Sequence, residues 1–264
     1  MFFEKKEKKG ISADGMAAVI NANAASLSVL VNRISGEELF GYVDDMLKII
    51  GPACDERNGQ LVSISDNGVT AVFAGSCEDA LMSSITICQR IASNPNANFD
   101  FTAFAVGISY GAVYSNDVGY GSYRFPLTIS ECTKMAHELH SIAGKYNAHI
   151  LITENAASQI PDFFQKFNTR CLGSILFRDT GEEMPFYDVF DGDPIETKNS
   201  KRRSKLFFET GVKLFAEQEY EKARSYFIEL IKSDKNDRAA KKYLEICDRI
   251  RNGECAAVKN IEIW

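Results

Sequence analysis

Apolar positions along the chain change period several times. A run of small apolar residues over 16–24 predicts a buried strand. Ser35-Gly36-Glu37-Glu38 then opens a helix, with Ser35 as N-cap and acidic residues in the first turn. Leu39, Val43, Met46, Leu47 and Ile50 form its helical stripe, and Arg57-Asn58-Gly59 supplies the stop. Strands follow at 60–65 and 69–74, joined by the tight-turn signal Asp66-Asn67-Gly68. A helix is expected over 77–93, ended by Asn94-Pro95, then a strand over 99–113 rich in Phe, Val and Ile. Residues 116–122 read as a Gly-rich loop and 129–146 as a third helix. A strand at 149–153, a short helix over 154–159 and a hairpin from 175–178 and 186–190 complete a mixed α+β domain over 16–190.

Outside that domain the texture differs. Residues 1–15 are charged and then small, and read as a flexible lead-in. Lys5, Lys6, Lys8 and Lys9 beside Phe2 and Phe3 hint at anionic lipid, but Glu4 and Glu7 dilute the charge, so a plain tail is preferred. Residues 191–203 are polar, with Lys198, Lys201, Arg202 and Arg203, and read as a linker. Over 204–252 only helical spacing remains: Leu206, Gly211, Leu214, Phe215, Tyr220, Ala223, Phe227 and Leu230, then Ala240, Tyr243, Leu244 and Cys247.

Composition narrows the function classes. Of 264 residues 45% are hydrophobic, with 18 Phe and 10 Tyr, enough for a sizeable core and too many for a solvated chain. A net charge of -6 argues against nucleic-acid binding by phosphate neutralisation. No apolar run reaches the ~18 residues of a membrane span, and Met1-Phe2-Phe3-Glu4-Lys5-Lys6 lacks a secretory apolar core, so a cytoplasmic protein is expected. The cysteine count is 7, odd and without CxxC spacing, which argues against a disulfide framework or a cysteine zinc site. His137-x-x-His140 puts two imidazoles on one helix face. No third ligand is placed by sequence, so exposed helix histidines are the preferred reading. Ser63, Ser65 and Asp66 match no hydrolase triad order.

The order of these segments resembles the class III nucleotide cyclase catalytic domain. The resemblance rests on Glu37-Glu38-Leu39, on the hairpin from Asn58-Gly59-Gln60-Leu61 through Asp66-Asn67-Gly68 to Phe73, and on Val106-Gly107-Ile108-Ser109-Tyr110-Gly111-Ala112-Val113. Asn116-Asp117-Val118-Gly119 and Tyr146-Asn147-Ala148-His149-Ile150-Leu151-Ile152-Thr153 extend it, over about 16 to 190. The resemblance implies a cyclase-like (ferredoxin-like) α+β sandwich. The helical tail is similar to one tetratricopeptide repeat, with Gly211, Leu214, Tyr220, Ala223 and Phe227 at its small and aromatic positions and Lys235 where that repeat usually has Pro.

The resemblance also implies a site. Class III cyclases hold two metal ions on two carboxylates and join the 3′-hydroxyl to the α-phosphate. Those carboxylates map to Asn23 and Asn67, which are neutral. Mg²⁺ prefers hard anionic oxygen, so metal catalysis is expected to be lost. The base-selecting positions map to Ser63 and Glu131, and the transition-state Asn and Arg to Lys134 and Glu138. Glu138 places negative charge where a triphosphate needs positive. Since one chain supplies carboxylates and the other supplies Lys, Asn and Arg, an intact partner could complete neither composite site. The reading is therefore a catalytically inactive cyclase homology protein, a dimerising, scaffolding or regulatory module in intracellular signalling. It carries no cofactor and no metal, forms a homodimer, and takes a protein partner on the helical tail through Leu214, Phe215, Tyr220 and Phe227. The alternatives are an active adenylate or guanylate cyclase using Mg²⁺ or Mn²⁺, and a nucleotide sensor without turnover.

Overall fold

A computed structural model describes residues 15–24, 27–66, 68–94, 101–176, 181–260 and 262–263. The first strand, β1 (Gly15–Asn23), is followed by a single turn, α1 (Leu27–Leu30), and by helix α2 (Gly36–Asp55). Ser35 and Glu38 cap α2 reciprocally: Ser35 Oγ accepts from the Glu38 amide at 3.3 Å, and the Glu38 carboxylate accepts from the Ser35 amide at 2.8 Å. The hairpin β2 (Gln60–Ser65) and β3 (Gly68–Phe73) leads to α3 (Cys77–Ala92). After a 3₁₀ turn at Phe101–Ala103 come β4 (Ala105–Tyr120), β5 (Tyr123–Ile129) and α4 (Glu131–Tyr146). Then follow β6 (Ile150–Thr153), the single turns α5 (Glu154–Ala157) and α6 (Phe163–Lys166), and the hairpin β7 (Thr169–Leu176) and β8 (Glu183–Val189). Helices α7 (Ile195–Ala216), α8 (Tyr220–Ser233) and α9 (Arg238–Arg251) and the two-residue β9 (Glu262–Ile263) close the chain.

The strands form one sheet in the order β2-β3-β1-β4-β6-β8-β7-β9, with β5 paired to β4 alone. Strand β1 is buried on both faces. Ala18, Ile20 and Ala22 face a core built with α2 and α3. Ala17 and Val19 face Cys132 and Ala136 of α4. Helix α4 lies so close to β4 that a Cβ on Gly107 would fall 1.9 Å from the Ala136 carbonyl oxygen. Glycine at 107 is therefore a condition of that packing.

The structure departs from the sequence reading most at two segments; in addition β4 begins at Ala105 rather than 99, and β7 at Thr169 rather than 175. Residues 116–122 are not a loop. Strand β4 runs on to Tyr120 and pairs with β5 through Tyr114↔Ile129, Asn116↔Leu127, Val118↔Phe125 and Tyr120↔Tyr123. The linker over 191–203 is mostly helix, because α7 begins at Ile195 and its polar residues find partners on the sheet side. Lys198 donates to the Asp191 carbonyl at 2.7 Å, and Arg202 donates to Asn168 Oδ1 at 3.0 Å. Lys201 is buried.

The three tail helices do not stand apart. Phe208, Val212 and Phe215 of α7, Phe227 of α8 and Tyr243 of α9 share one core with Leu139 and Tyr146 of α4 and Phe186 of β8. A buried ionic chain ties the same elements. Lys201 Nζ lies 2.8 Å from Asp188 and 2.7 Å from Asp193, His149 Nδ1 lies 2.8 Å from Asp193, and Arg170 lies 2.7 Å from Asp237. Asp237 also caps α9 by accepting from the Ala240 amide at 3.0 Å. Burial alone would weaken Lys201 as a base, but Asp188 and Asp193 more than offset this and hold its ammonium above the ordinary lysine value.

Candidate functional site

The positions of interest meet where β1 ends beside the β2–β3 turn. Asn23 is 1% exposed. Its Oδ1 accepts from the Ala24 amide at 2.9 Å and its Nδ2 donates to the Asp66 carbonyl at 3.4 Å. Gly68 presses the turn onto β1: its φ is +104°, and a Cβ there would fall 2.5 Å from the Ala22 carbonyl oxygen. The strand end and the turn are thus neighbours, as the spacing of positions 23 and 67 predicts; Asn67 itself lies outside the described residues. Asp66 is exposed at the turn.

The remaining mapped positions sit on β2 and α4. Ser63 is exposed, just past a bulge in the β2–β3 register between Leu61 and Ser63. Helix α4 starts on Ser130, whose Oγ accepts from the Cys132 amide at 3.1 Å and donates to the Ala112 carbonyl at 2.7 Å. Glu131 and Lys134 are exposed and Glu138 is half-buried. The next turn of α4 crosses the sheet at Gly107, where an added Cβ would fall 2.7 Å from the His140 backbone nitrogen. Burial and the nearby His137 hold His140 down to about 4, so it is neutral at physiological pH. A cleft of about 620 Å³ opens beside the start of α4, lined by Tyr110, Tyr114, Glu131, Met135, Asn155 and Glu182 among others. It carries two carboxylates, and among the described residues no Lys or Arg lines it.

Two features correct the expected partner surface. Phe215 and Phe227 are 1% and 0% exposed, and Leu214 and Tyr220 are packed against the same core, so these four residues are engaged within the core that the tail helices share with α4 and β8. Leu206 and Phe207 of α7 are exposed, and a larger set of exposed apolar residues lies on the β4–β5 ribbon. Tyr114, Val118, Tyr120, Tyr123, Phe125, Leu127 and Ile129 are all exposed. Directly paired residues of an antiparallel ribbon share a face. The observed pairs therefore gather all seven on one side, opposite Ser115, Asp117 and Thr128. The period-2 pattern Tyr123, Phe125, Leu127, Ile129 was the available signal for β5.

Comparison with known proteins agrees with this architecture. No family model matches the chain. It is 20% identical over 234 residues to the terminal-differentiation-specific adenylate cyclase of Dictyostelium discoideum, covering 86% of this chain and 11% of that one. It is 24% identical over 162 residues to an adenylate cyclase of Anabaena cylindrica, covering 58% of this chain and 32% of that one. The chain thus spans about a tenth and a third of the lengths of these relatives. Among solved structures, the guanylate cyclase domain of RhGC from Catenaria anguillulae, in complex with GTP, superposes with a TM-score of 0.55 at 16% identity, over 67% of this chain and 96% of that one. A dimeric guanylyl cyclase domain from Blastocladiella emersonii gives 0.52 at 16% identity, over 66% of this chain and 95% of that one. The fold is that of a class III nucleotide cyclase domain. In this cyclase-like domain the observed sheet, with α2 and α3 on one face and α4 on the other, is the expected sandwich. The helices after β8 pack on the α4 face and extend its core. Among the described residues no helix is long and apolar enough to cross a membrane.

Proposed function

We propose that this chain is a class III cyclase homology protein that no longer performs metal-dependent cyclisation and acts as a dimerising, scaffolding or regulatory module. The observation that carries this reading is the state of Asn23. At the strand end where the resemblance calls for a metal carboxylate stands a buried neutral amide, with both its polar atoms engaged by neighbouring backbone. An amide offers a divalent ion one neutral oxygen, and here that oxygen is already accepting a hydrogen bond. Glu138 and the acidic cleft beside α4 add negative charge where a nucleotide triphosphate would need cations. Asp66 at the turn supports the opposing reading of retained catalysis, as do the names of the two relatives.

Dimerisation is the second half of the proposal. A two-stranded ribbon with one face apolar except for Asn116 is marginal in water on its own. A second copy of the same ribbon buries such a face on both chains at once. The proposal is tested by assaying the purified chain with ATP and with GTP, each with Mg²⁺ and with Mn²⁺, beside sedimentation at tens of micromolar. Absence of cyclic nucleotide above a boiled control together with a dimer is the expected result. Cyclic nucleotide above that control overturns the loss of catalysis, and a monomer overturns the dimer. Tight Mg²⁺-dependent nucleotide binding without product would make the chain a nucleotide sensor.

A further inference from the structure

Beneath α4 lies a layer of polar atoms with no partners. Thr133, His137 and His140 stand at i, i+4 and i+7, one stripe of the helix. That stripe belongs to the helix that packs across β1 and β4, crossing them at Ala136 and His140. Asn21 sits two residues before Asn23 on the same face of β1, paired with Gly107 of β4. Asn21 is 2% exposed; its Nδ2 donates to Thr70 Oγ1 at 3.2 Å and its Oδ1 has no partner. Thr133 Oγ1, His137 Nδ1 and His140 Nδ1 are likewise buried without partners. Buried polar atoms are ordinarily satisfied, so an orphan set in one layer asks what fills it. The set is rich in acceptors. Asn21 Oδ1 is an acceptor, and each histidine Nδ1 is one in the tautomer that carries its proton on Nε2.

We infer that His137 and His140, with the Asn21 amide oxygen, form a binding site for an imidazole-preferring divalent transition ion. Among the described residues no three His, Cys, Asp or Glu side chains converge, so the third donor is an amide rather than a carboxylate. The ring centroids are 6.2 Å apart. With metal–nitrogen bonds of about 2.0–2.1 Å, two imidazoles on one ion place their centroids at most about 6.4 Å apart. The observed separation therefore fits a wide nitrogen–metal–nitrogen angle. That angle suits the tetragonal geometry of Ni²⁺ or Cu²⁺ better than tetrahedral Zn²⁺, and nitrogen donors exclude Mg²⁺ as the occupant. An ion here would tie α4 to β1 directly behind Asn23, independently of whether cyclisation is retained.

The test is calorimetric titration of the chelator-treated, reduced full chain with Ni²⁺. One site per chain is expected, weakened at least tenfold in His137→Gln and in His140→Gln and unchanged in His149→Gln, the third of the 3 histidines. Asn21→Asp, which turns the amide donor into a carboxylate, is expected to tighten binding at least tenfold. The absorption spectrum separates this site from the thiols, since nitrogen and oxygen ligation gives no thiolate charge-transfer band. Absence of binding at tens of micromolar overturns the inference and leaves the orphan atoms to an ordered water. Binding indifferent to both histidine variants overturns it too, as does binding with a thiolate band. Unchanged affinity in Asn21→Asp overturns the assigned donor set.

Discussion

Lys201 is the residue whose removal should cost the fold most per atom. It is a buried ammonium shared by two buried carboxylates, at 2.8 Å from Asp188 and 2.7 Å from Asp193. Lys201→Met keeps most of the stem and removes the charge. Asp188 is then left with Arg170 at 3.9 Å, and Asp193 with His149. Removing one partner of a buried ion pair typically costs about 3–5 kcal/mol, because the stranded charge stays out of water. Against a total stability of about 5–15 kcal/mol that is a large fraction, so a substantial fall in the urea midpoint by circular dichroism is expected, with an unchanged slope. A second signature follows from proton linkage. Complete burial already raises the Asp188 carboxyl above its ordinary value, and loss of the ammonium raises it further. The folded variant then binds more protons than the unfolded chain, so its stability should grow as pH falls through that raised value toward the ordinary carboxyl value. Lys201→Met with Asp193→Asn should recover at least ~1 kcal/mol of the loss, since the two sites are in contact. A loss below about 1 kcal/mol, flat with pH, would refute the reasoning that this charge is buried and uncompensated.

Other outcomes follow from the same geometry. Phe227→Ala, in the core shared by the tail and α4, should destabilise the whole protein by about 3–5 kcal/mol in a single transition; a separate early melting of the tail would count against a shared core. Phe125→Ser with Tyr120→Ser, both exposed on the ribbon, should leave the melting temperature nearly unchanged while sedimentation shifts to monomer, and a persisting dimer would place the interface elsewhere. Burial raises the Cys54, Cys77 and Cys247 thiols to about 12. Above pH 9 the unfolded chain loses those protons while the folded chain keeps them. Stability should then fall by about 1.4 kcal/mol per thiol per pH unit. Lys242, lowered to about 8 by burial and by Lys145, works the other way but is one group against three, so urea midpoints under reductant that rise between pH 9 and 10 would contradict the account.

Much of the cyclase-like core was legible because each element there follows one period. The α2 cap, the β2–β3 turn and the buried β1 run carry their signals locally, and Asn23 falls at the strand end beside the β2–β3 turn. Elsewhere tertiary partners decided the outcome. Residues 116–122 have turn-like composition, yet they form strand because β5 pairs with them. Residues 198–203 read as solvated charge, yet two of their cations bond groups beside the sheet and Lys201 is buried. The tail aromatics stand at helical spacing whether they face a partner or a core, so periodicity could not tell which face was covered. The His137–His140 stripe failed for a related reason. A polar stripe on a helix reads as a solvent face, and its burial follows only from the close approach of α4 to Gly107.

The ionic chain also imposes an order on synthesis. Arg170 and Asp188 lie on the sheet, whereas Lys201 belongs to α7 and Asp237 to the start of α9. A ribosome adding about 5–20 residues per second exposes the sheet seconds before the closer partners Lys201 and Asp237 exist. Until position 237 clears the exit tunnel, Arg170 and Asp188 have each other at 3.9 Å but lack the closer partners Asp237 and Lys201 that complete their burial. The sheet must therefore wait, loosely formed, for the last helices. Premature termination anywhere within α7 to α9 would release a chain with an unbalanced interior and an open apolar face, a substrate for chaperones and proteases rather than a smaller working domain.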